Sequence, residues 1–299
     1  MITFFRVSGN PIPSMVLFFR CLSRLPLWLV HAIGALLGRL TLILSPTFRR
    51  HLCANLAQAG ITDVTPSAVA SETGKQMLEP ARIWLRSLEE AVALAVEVDG
   101  LEHVRAAQQR GMGIVYLTPH LGCFEITAQY LSTLAEITVL FRPPRSAGLR
   151  TLIEAGRRRP QLHLAPADLS GVRALIKALK KGQAIGLLPD QAPKVGEGAW
   201  LDFFGRPAYT MTLAARLTET GATTLFVWGE RLPGGAGFRL HFQPPQLELS
   251  GDTIARARQI NREIETLIRQ CPQQYLWGYN RYKRPAGAEP PPGAEKGQE

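Results

Sequence analysis

"GIVYLTPHLGCFEITAQYLSTL", Gly113–Leu134, holds the reading on which the rest of the chain turns. Its first five residues are apolar and read as a buried strand; the part from Gly122 onward reads as a helix. Between them stand Thr118, Pro119, His120 and Leu121. In open α/β sheets reactive groups collect at the carboxyl ends of strands, and His120 lies just past one. Glu125 follows five residues later. On a regular helix residues five apart point about 140° away from each other, so the two can meet only where loop becomes helix. Pro119 disfavours helix at Thr118, and Gly122 lets the backbone turn. The sequence therefore predicts an imidazole and a carboxylate facing each other across a bend, with His120 as base and Glu125 as the acid that orients it.

The same alternation extends outward. "VEV", "GIVYL", "EITVLF", "AIGLL", "TTLFVWGERL" and "FRLHFQ" read as strands, with helical segments between them such as "LEHVRAAQQRG" and "SAGLRTLIEAGRRR". "LSGVRALIKALKKG" reads as a helix capped by Asp168 and closed by Gly182. "TMTLAARLTETG" and "DTIARARQINREIETLIRQ" complete the helices. Strands alternating with helices of this length predict an α/β fold, a mostly parallel sheet covered by helices on both faces. The 299 residues suffice for one large domain with a substantial core.

Charge is unevenly spread. The net charge is +10, and the first acidic residue is Asp63. Six arginines precede it: Arg6, Arg20, Arg24, Arg39, Arg49 and Arg50. The same region carries "LPLWLVHAIGALLG", Leu25–Gly38, which continues past Arg39 as "LTLIL". Its 14 uncharged residues fall short of the roughly 20 that a spanning helix needs. Apolar residues flanked by arginines suit an anionic membrane surface, so residues 1–48 are expected to be a basic, apolar anchor lying in the interface, with a single span as the rival. Residues 49–284 form the α/β domain, and residues 285–299, "PAGAEPPPGAEKGQE", have a disordered composition. The basic charge is tied to apolar anchors and accompanies no nucleic-acid module, so no nucleic acid is expected as partner.

The four cysteines, Cys21, Cys53, Cys123 and Cys271, form no C-x-x-C pair, which argues against a zinc site or a disulfide framework. No metal is expected. With six histidines and 24 acids, chance supplies roughly 0.5 matches to a His–acid spacing of five. The chain has two. In the second, His163 and Asp168, the acid serves as a helix cap and the histidine alternates with Leu162 and Leu164 on a short edge strand. A histidine oriented by a carboxylate can take a proton from an alcohol. No G-x-S-x-G elbow is present to make a hydrolase. Direct transfer of an activated acyl group to a hydroxyl is the natural chemistry. Cys123 lies three residues from His120, and its apolar flanks read as those of a buried filler rather than a nucleophile.

"HLGCFE", His120–Glu125, resembles the His-x-Gly-Asn-Trp-Glu signature of the bacterial lipid A biosynthesis acyltransferases, within the wider glycerol-phosphate and lysophospholipid acyltransferase group. "FRPPRSAGLRTLIEAGRRR", "GVRALIKALKKGQAIGLLPDQ", "FFGRPAYTMT" and "QYLWGYNRYKRP" follow in the family's order. The resemblance implies a glycerol-phosphate-acyltransferase-like fold at the cytoplasmic face of the bacterial inner membrane. An acyl chain would pass from an acyl carrier protein or coenzyme A thioester, a co-substrate rather than a cofactor, to a hydroxyl of a lipid A precursor. It also implies His120 and Glu125 as the catalytic pair, with Arg142, Arg157, Arg159, Asp190 and Gln191 as substrate-binding residues. Cys123 and Phe124 replace the family's Asn and Trp, so another glycolipid or phospholipid acceptor, lysophospholipid or lyso-ornithine lipid, stays open. The rival from a different class is a non-catalytic module that binds anionic lipid on the same scaffold. The closing "YNRYKR" has a composition that suits lipid headgroups.

Overall fold

A computed structural model describes residues 13–142 and 147–292. Six helices come first: α1 (Pro13–Arg24), α2 (Leu27–Leu44), α3 (Pro46–Gln58), α4 (Pro66–Leu78), α5 (Pro80–Trp84) and α6 (Leu88–Val92). Strands and helices then alternate: β1 (Ala95–Asp99), α7 (Leu101–Arg110), β2 (Ile114–Leu117), α8 (Phe124–Leu131), β3 (Ile137–Phe141), α9 (Ala147–Arg157), β4 (Leu162–Pro166), α10 (Leu169–Lys180) and β5 (Ala184–Leu187). The chain closes with β6 (Gly198–Phe203), β7 (Arg206–Met211), α11 (Leu213–Thr218), β8 (Thr223–Arg231), β9 (Phe238–Gln243) and α12 (Thr253–Gln270).

Seven strands form one sheet in the order β1-β9-β8-β2-β5-β3-β4. All its pairs are parallel except β8 with β9. The expected fold class is therefore the observed one. The apolar runs of β2 and β5 are buried throughout, as strands covered on both faces must be. One core cluster gathers Leu52, Leu175, Ile185, Phe226 and Ile264. Another gathers Val104, Tyr116, Ile126, Leu225 and Phe242. Asp168 caps α10 through the Ser170 and Gly171 amides, and β4 is the sheet's edge, as its sequence predicts.

One hairpin was not anticipated. β6 and β7 pair antiparallel as a separate two-stranded sheet joined by Phe204–Gly205. β7 takes residues up to Met211, so the helix expected over "TMTLAARLTETG" is reduced to α11. The tail also departs in part from expectation. Ala288 N–H donates to the Pro285 carbonyl, and the Trp200 indole N–H donates to the Glu289 carbonyl at 2.9 Å, which seats this stretch beside β6. Residues 293–299 and 1–12 lie outside the described residues.

Helix α2 does not stand apart from the domain. It packs on α4 through small residues, Gly34 and Gly38 against Ala70 and Gly74. A Cβ on Gly38 would lie 1.9 Å from the Ala70 carbonyl oxygen, and one on Gly74 1.9 Å from that of Gly34. Only glycine allows backbones this close. At the head of the seam His31 Nε2 meets Glu79 Oε1 at 2.8 Å. Glu79 and Arg231 are both fully buried, and Arg231 binds Glu79 through two nitrogens and Glu72 at 2.7 Å. Burial pushes the Glu79 carboxyl up, but the Arg231 and His31 contacts outweigh it and hold its pKa at about 2.

Removing one partner of such a pair strands a buried charge, so Arg231→Met is expected to cost about 3–5 kcal/mol of stability, read from urea unfolding. The Glu79 contribution is present above its ordinary pKa of 4.5 and disappears as pH falls toward about 2. Plotting the urea midpoint against pH should show that acid limb in the intact chain and a weaker one in Glu79→Gln.

Candidate active site

β2 and β5 are parallel neighbours with Leu117 opposite Leu187. His120 and Asp190 each stand three residues past those partners, so the two loops leave the sheet side by side. Asp190 receives His120 twice: its Oδ2 accepts the His120 backbone N–H at 2.8 Å, and its Oδ1 lies 2.7 Å from Nδ1 of the ring. The Asp190 side chain is 1% exposed, whereas the imidazole keeps 15% of its surface open. A buried acid thus grips one nitrogen and leaves the rest of the ring at the surface of the site. Burial pushes the Asp190 carboxyl up; the His120 contacts and the nearby Arg281 charge outweigh it, so it titrates below the ordinary range. It is a carboxylate at neutral pH.

The carboxylate on His120 is therefore Asp190, not Glu125 as the spacing suggested. Gly122 turns in the left-handed region (φ 59°) and α8 starts only at Phe124, so Glu125 leaves from the first helical turn toward α5 and α9. There it accepts from the Trp84 indole N–H at 2.9 Å and the Arg157 Nε at 3.0 Å, with a second, shorter bond from the Arg157 terminal nitrogen. The Arg157 guanidinium also lies over the Trp84 and Phe141 rings, at 5.6 and 5.3 Å. Phe124, at the start of α8, lies against His120, with ring centroids 4.9 Å apart.

The remaining expected site residues separate into two groups. Gln191 joins the pair, its side-chain nitrogen 3.1 Å from His120 Nε2. Arg159 instead clamps helices, donating to the Gln129 side chain at 2.6 Å and to the carbonyls of Ile83 and Arg86. Arg142 is exposed at the carboxyl end of β3. The segment after it, residues 143–146, lies outside the described residues. His163 remains on β4, remote in sequence and topology from the β2–β5 loops.

Residues not singled out by sequence complete the frame. The C-terminal segment crosses both loops: Leu276 N–H donates to the His120 carbonyl at 3.2 Å, Gly122 N–H to the Gln274 carbonyl at 3.1 Å, and Ala192 N–H to the Tyr279 hydroxyl at 3.0 Å. The Asn55 amide fixes that segment through the carbonyls of Trp277 and Tyr279. Arg281, expected at lipid headgroups, is instead buried and bonds the Tyr209 carbonyl and the Thr210 hydroxyl, each at 2.8 Å. A signal for the carboxylate that meets His120 existed: Asp190 closes "GLLPD" at the same offset as His120 closes "YLTPH".

Among the described residues no group of three or more His, Cys, Asp or Glu side chains could hold a metal. Burial raises the Cys123 thiol well above its ordinary pKa, and it raises the Cys271 thiol to about 12. Cys21 and Cys53 are exposed. Brief alkylation of the native protein at pH 8 should accordingly label Cys21 and Cys53 and spare Cys123 and Cys271, by peptide mass; rapid labelling of Cys123 would restore a thiol nucleophile.

Comparison with known proteins converges on one family. The family model described as bacterial lipid A biosynthesis acyltransferase matches residues 15–284. The lipid A biosynthesis lauroyltransferase of Escherichia coli K12 is 28% identical over 220 residues, 72% of this chain and 70% of that protein. The lipid A biosynthesis palmitoleoyltransferase of the same organism is 26% identical over 217 residues, with the same coverage. A lipid A biosynthesis acyltransferase of Haemophilus influenzae is 28% identical over 189 residues, 60% of this chain and 57% of the relative.

Proposed function

Since the chain belongs to the bacterial lipid A biosynthesis acyltransferase family, and is thereby an acyltransferase acting on a lipid A precursor, we propose that it works by direct transfer with His120 as general base. The observation that carries this reading is the His120–Asp190 pair, a partly open imidazole on a buried carboxylate. With Nδ1–H donated to Asp190, Nε2 holds the lone pair and can take the acceptor's hydroxyl proton. The oxygen attacks the thioester carbonyl, the C–S bond breaks, and the leaving thiolate takes the proton back from the imidazolium. Asp190 keeps the ring in the useful tautomer and stabilises the cation that forms. Glu125 acts at one remove, holding Arg157 against the Trp84 and Phe141 rings. The exposed Arg142 and the partly exposed Arg157 suit phosphates of the donor arm or of the lipid through charge-assisted bonds.

The donor in this reading is an acyl carrier protein thioester, to which a chain of net charge +10 is attractive, or a coenzyme A thioester. The place of action is the cytoplasmic face of the inner membrane. In support, α2 is long and apolar enough to cross a bilayer, yet only 28% of it is buried. Its seam side is held by α4, and Trp28, Leu36, Leu40 and Ile43 project from it, each at least 41% exposed. Exposed Arg20, Arg24, Arg49 and Arg50 flank α2 in sequence, without a carboxylate before Asp63. A helix fixed to its domain along one side and apolar on the other suits a bilayer surface better than a free span.

With an acyl thioester and a lipid A precursor, followed by mass spectrometry, His120→Ala is expected to abolish transfer. Asp190→Asn is expected to lower it about 10²–10⁴-fold, the range of general acid–base catalysis. Glu125→Gln and Arg157→Ala should each slow it, and the double variant should be no slower than the worse single, because they act as one unit. Activity unchanged in His120→Ala defeats the mechanism. For the membrane, Leu36→Glu with Ile43→Glu should move the folded protein from vesicles containing phosphatidylglycerol into the supernatant; a protein that stays bound contradicts the interfacial placement.

A further inference from the structure

We infer that Gln191 sets the acceptor specificity of this site, its side-chain amide covering Nε2 of His120 so that water uses the base less readily than a lipid hydroxyl, which displaces the amide as it binds. The inference rests on His120 being the base.

The two ring nitrogens are differently engaged. Nδ1 is committed to Asp190 at 2.7 Å, so in the neutral ring the proton sits there and Nε2 is an acceptor. The group that meets Nε2 is the Gln191 amide nitrogen, a donor, at 3.1 Å. Donor and acceptor match, and the lone pair needed for catalysis is occupied by the amide. Water or a lipid hydroxyl would have to present its own O–H to the same lone pair. Gln191 is also well seated. Before it, Asp190 is buried and tied to His120 by two bonds. After it, the Ala192 N–H is held by the Tyr279 hydroxyl, which Asn55 positions through the Tyr279 carbonyl. Phe124 packs against the ring as well, its centroid 4.9 Å away and its plane tilted by 59°.

An acyl thioester next to a histidine base invites hydrolysis. The base takes a proton from water, the resulting hydroxide bonds the carbonyl carbon, the C–S bond breaks, and the thiolate recovers the proton to give fatty acid and thiol. Water is abundant and small, but it has few other contacts with which to offset the loss of the amide bond. A lipid acceptor makes many contacts elsewhere and can displace the amide as it binds. One hydrogen bond of ordinary strength, about 1 kcal/mol, is enough to bias this competition roughly fivefold.

The test uses the full chain in vesicles with an acyl thioester, with and without lipid A precursor, counting thiol released and acylated lipid formed. Gln191→Ala should hydrolyse the thioester about fivefold faster than the intact protein when no acceptor is present. Its ratio of transfer to hydrolysis should fall with acceptor added. The ratio does not depend on the fraction of protein folded, so a merely destabilised variant leaves it unmoved. An unchanged ratio, with His120→Ala inactive, overturns this inference alone. If Gln191→Ala combined with His120→Ala hydrolyses as fast as Gln191→Ala, His120 is not the base, and both readings fall.

Discussion

The register between two buried strands governs this site. β2 and β5 run parallel with Leu117 opposite Leu187, and each is followed by a three-step walk, Thr118-Pro119-His120 and Leu188-Pro189-Asp190. Because the strands are apolar and covered on both faces, a slip of one residue would turn their side chains to the wrong face. The core thereby fixes the relative height of two loops that make no covalent contact, and the imidazole and carboxylate meet as a consequence. Packing energy distributed over the sheet is converted into an angular constraint on one ring nitrogen.

A second layer keeps that geometry from drifting. The C-terminal segment bonds the His120 loop through Gln274 and Leu276 and the Asp190 loop through Tyr279. Gln76 of α4 donates to the Gly122 carbonyl at 2.9 Å, the same helix carries Glu72 of the buried Arg231 cluster, and Glu79 of that cluster caps its C-terminal end. His31 of α2 joins that cluster. Hence the apolar helix proposed to meet the bilayer and the turn bearing His120 are both gripped by α4. Such a chain of contacts is short and rigid, and it sets the orientation of the site relative to the apolar stripe of α2.

How much of this the residues announce depends on the range of the interaction. Elements fixed by local pattern are legible: the apolar runs of β2 and β5, the Asp168 cap, the edge position of β4. The family, too, is legible, because several blocks recur in order along the chain. The His120 partner is not, because a five-residue spacing says nothing about which strand lies next to β2; Asp190 is 70 residues away and arrives by sheet pairing. The β6–β7 hairpin escapes for a related reason. Its turn places Phe204 in the left-handed region (φ 49°), a conformation that local preference gives to glycine or asparagine. Phe204 is held there by distant groups: its N–H donates to Glu265, its carbonyl accepts from Gln58, and its ring meets Trp277 and Arg269. Arg281 misleads likewise, since a cation in an aromatic-rich tail reads as exposed until the hairpin that buries it is known.

The tautomer of one imidazole therefore carries the account. Long-range nitrogen–proton correlation spectra of ¹⁵N-histidine-labelled protein in detergent, with His120 assigned by its loss in His120→Gln, report which ring nitrogen holds the proton. A neutral ring with its proton on Nδ1 and a bare Nε2, changed by Asp190→Asn, is the result that strand register and a buried Asp190 require. A proton on Nε2, indifferent to Asp190, would mean that the carboxylate does not govern the ring and that the lone pair faces the wrong way.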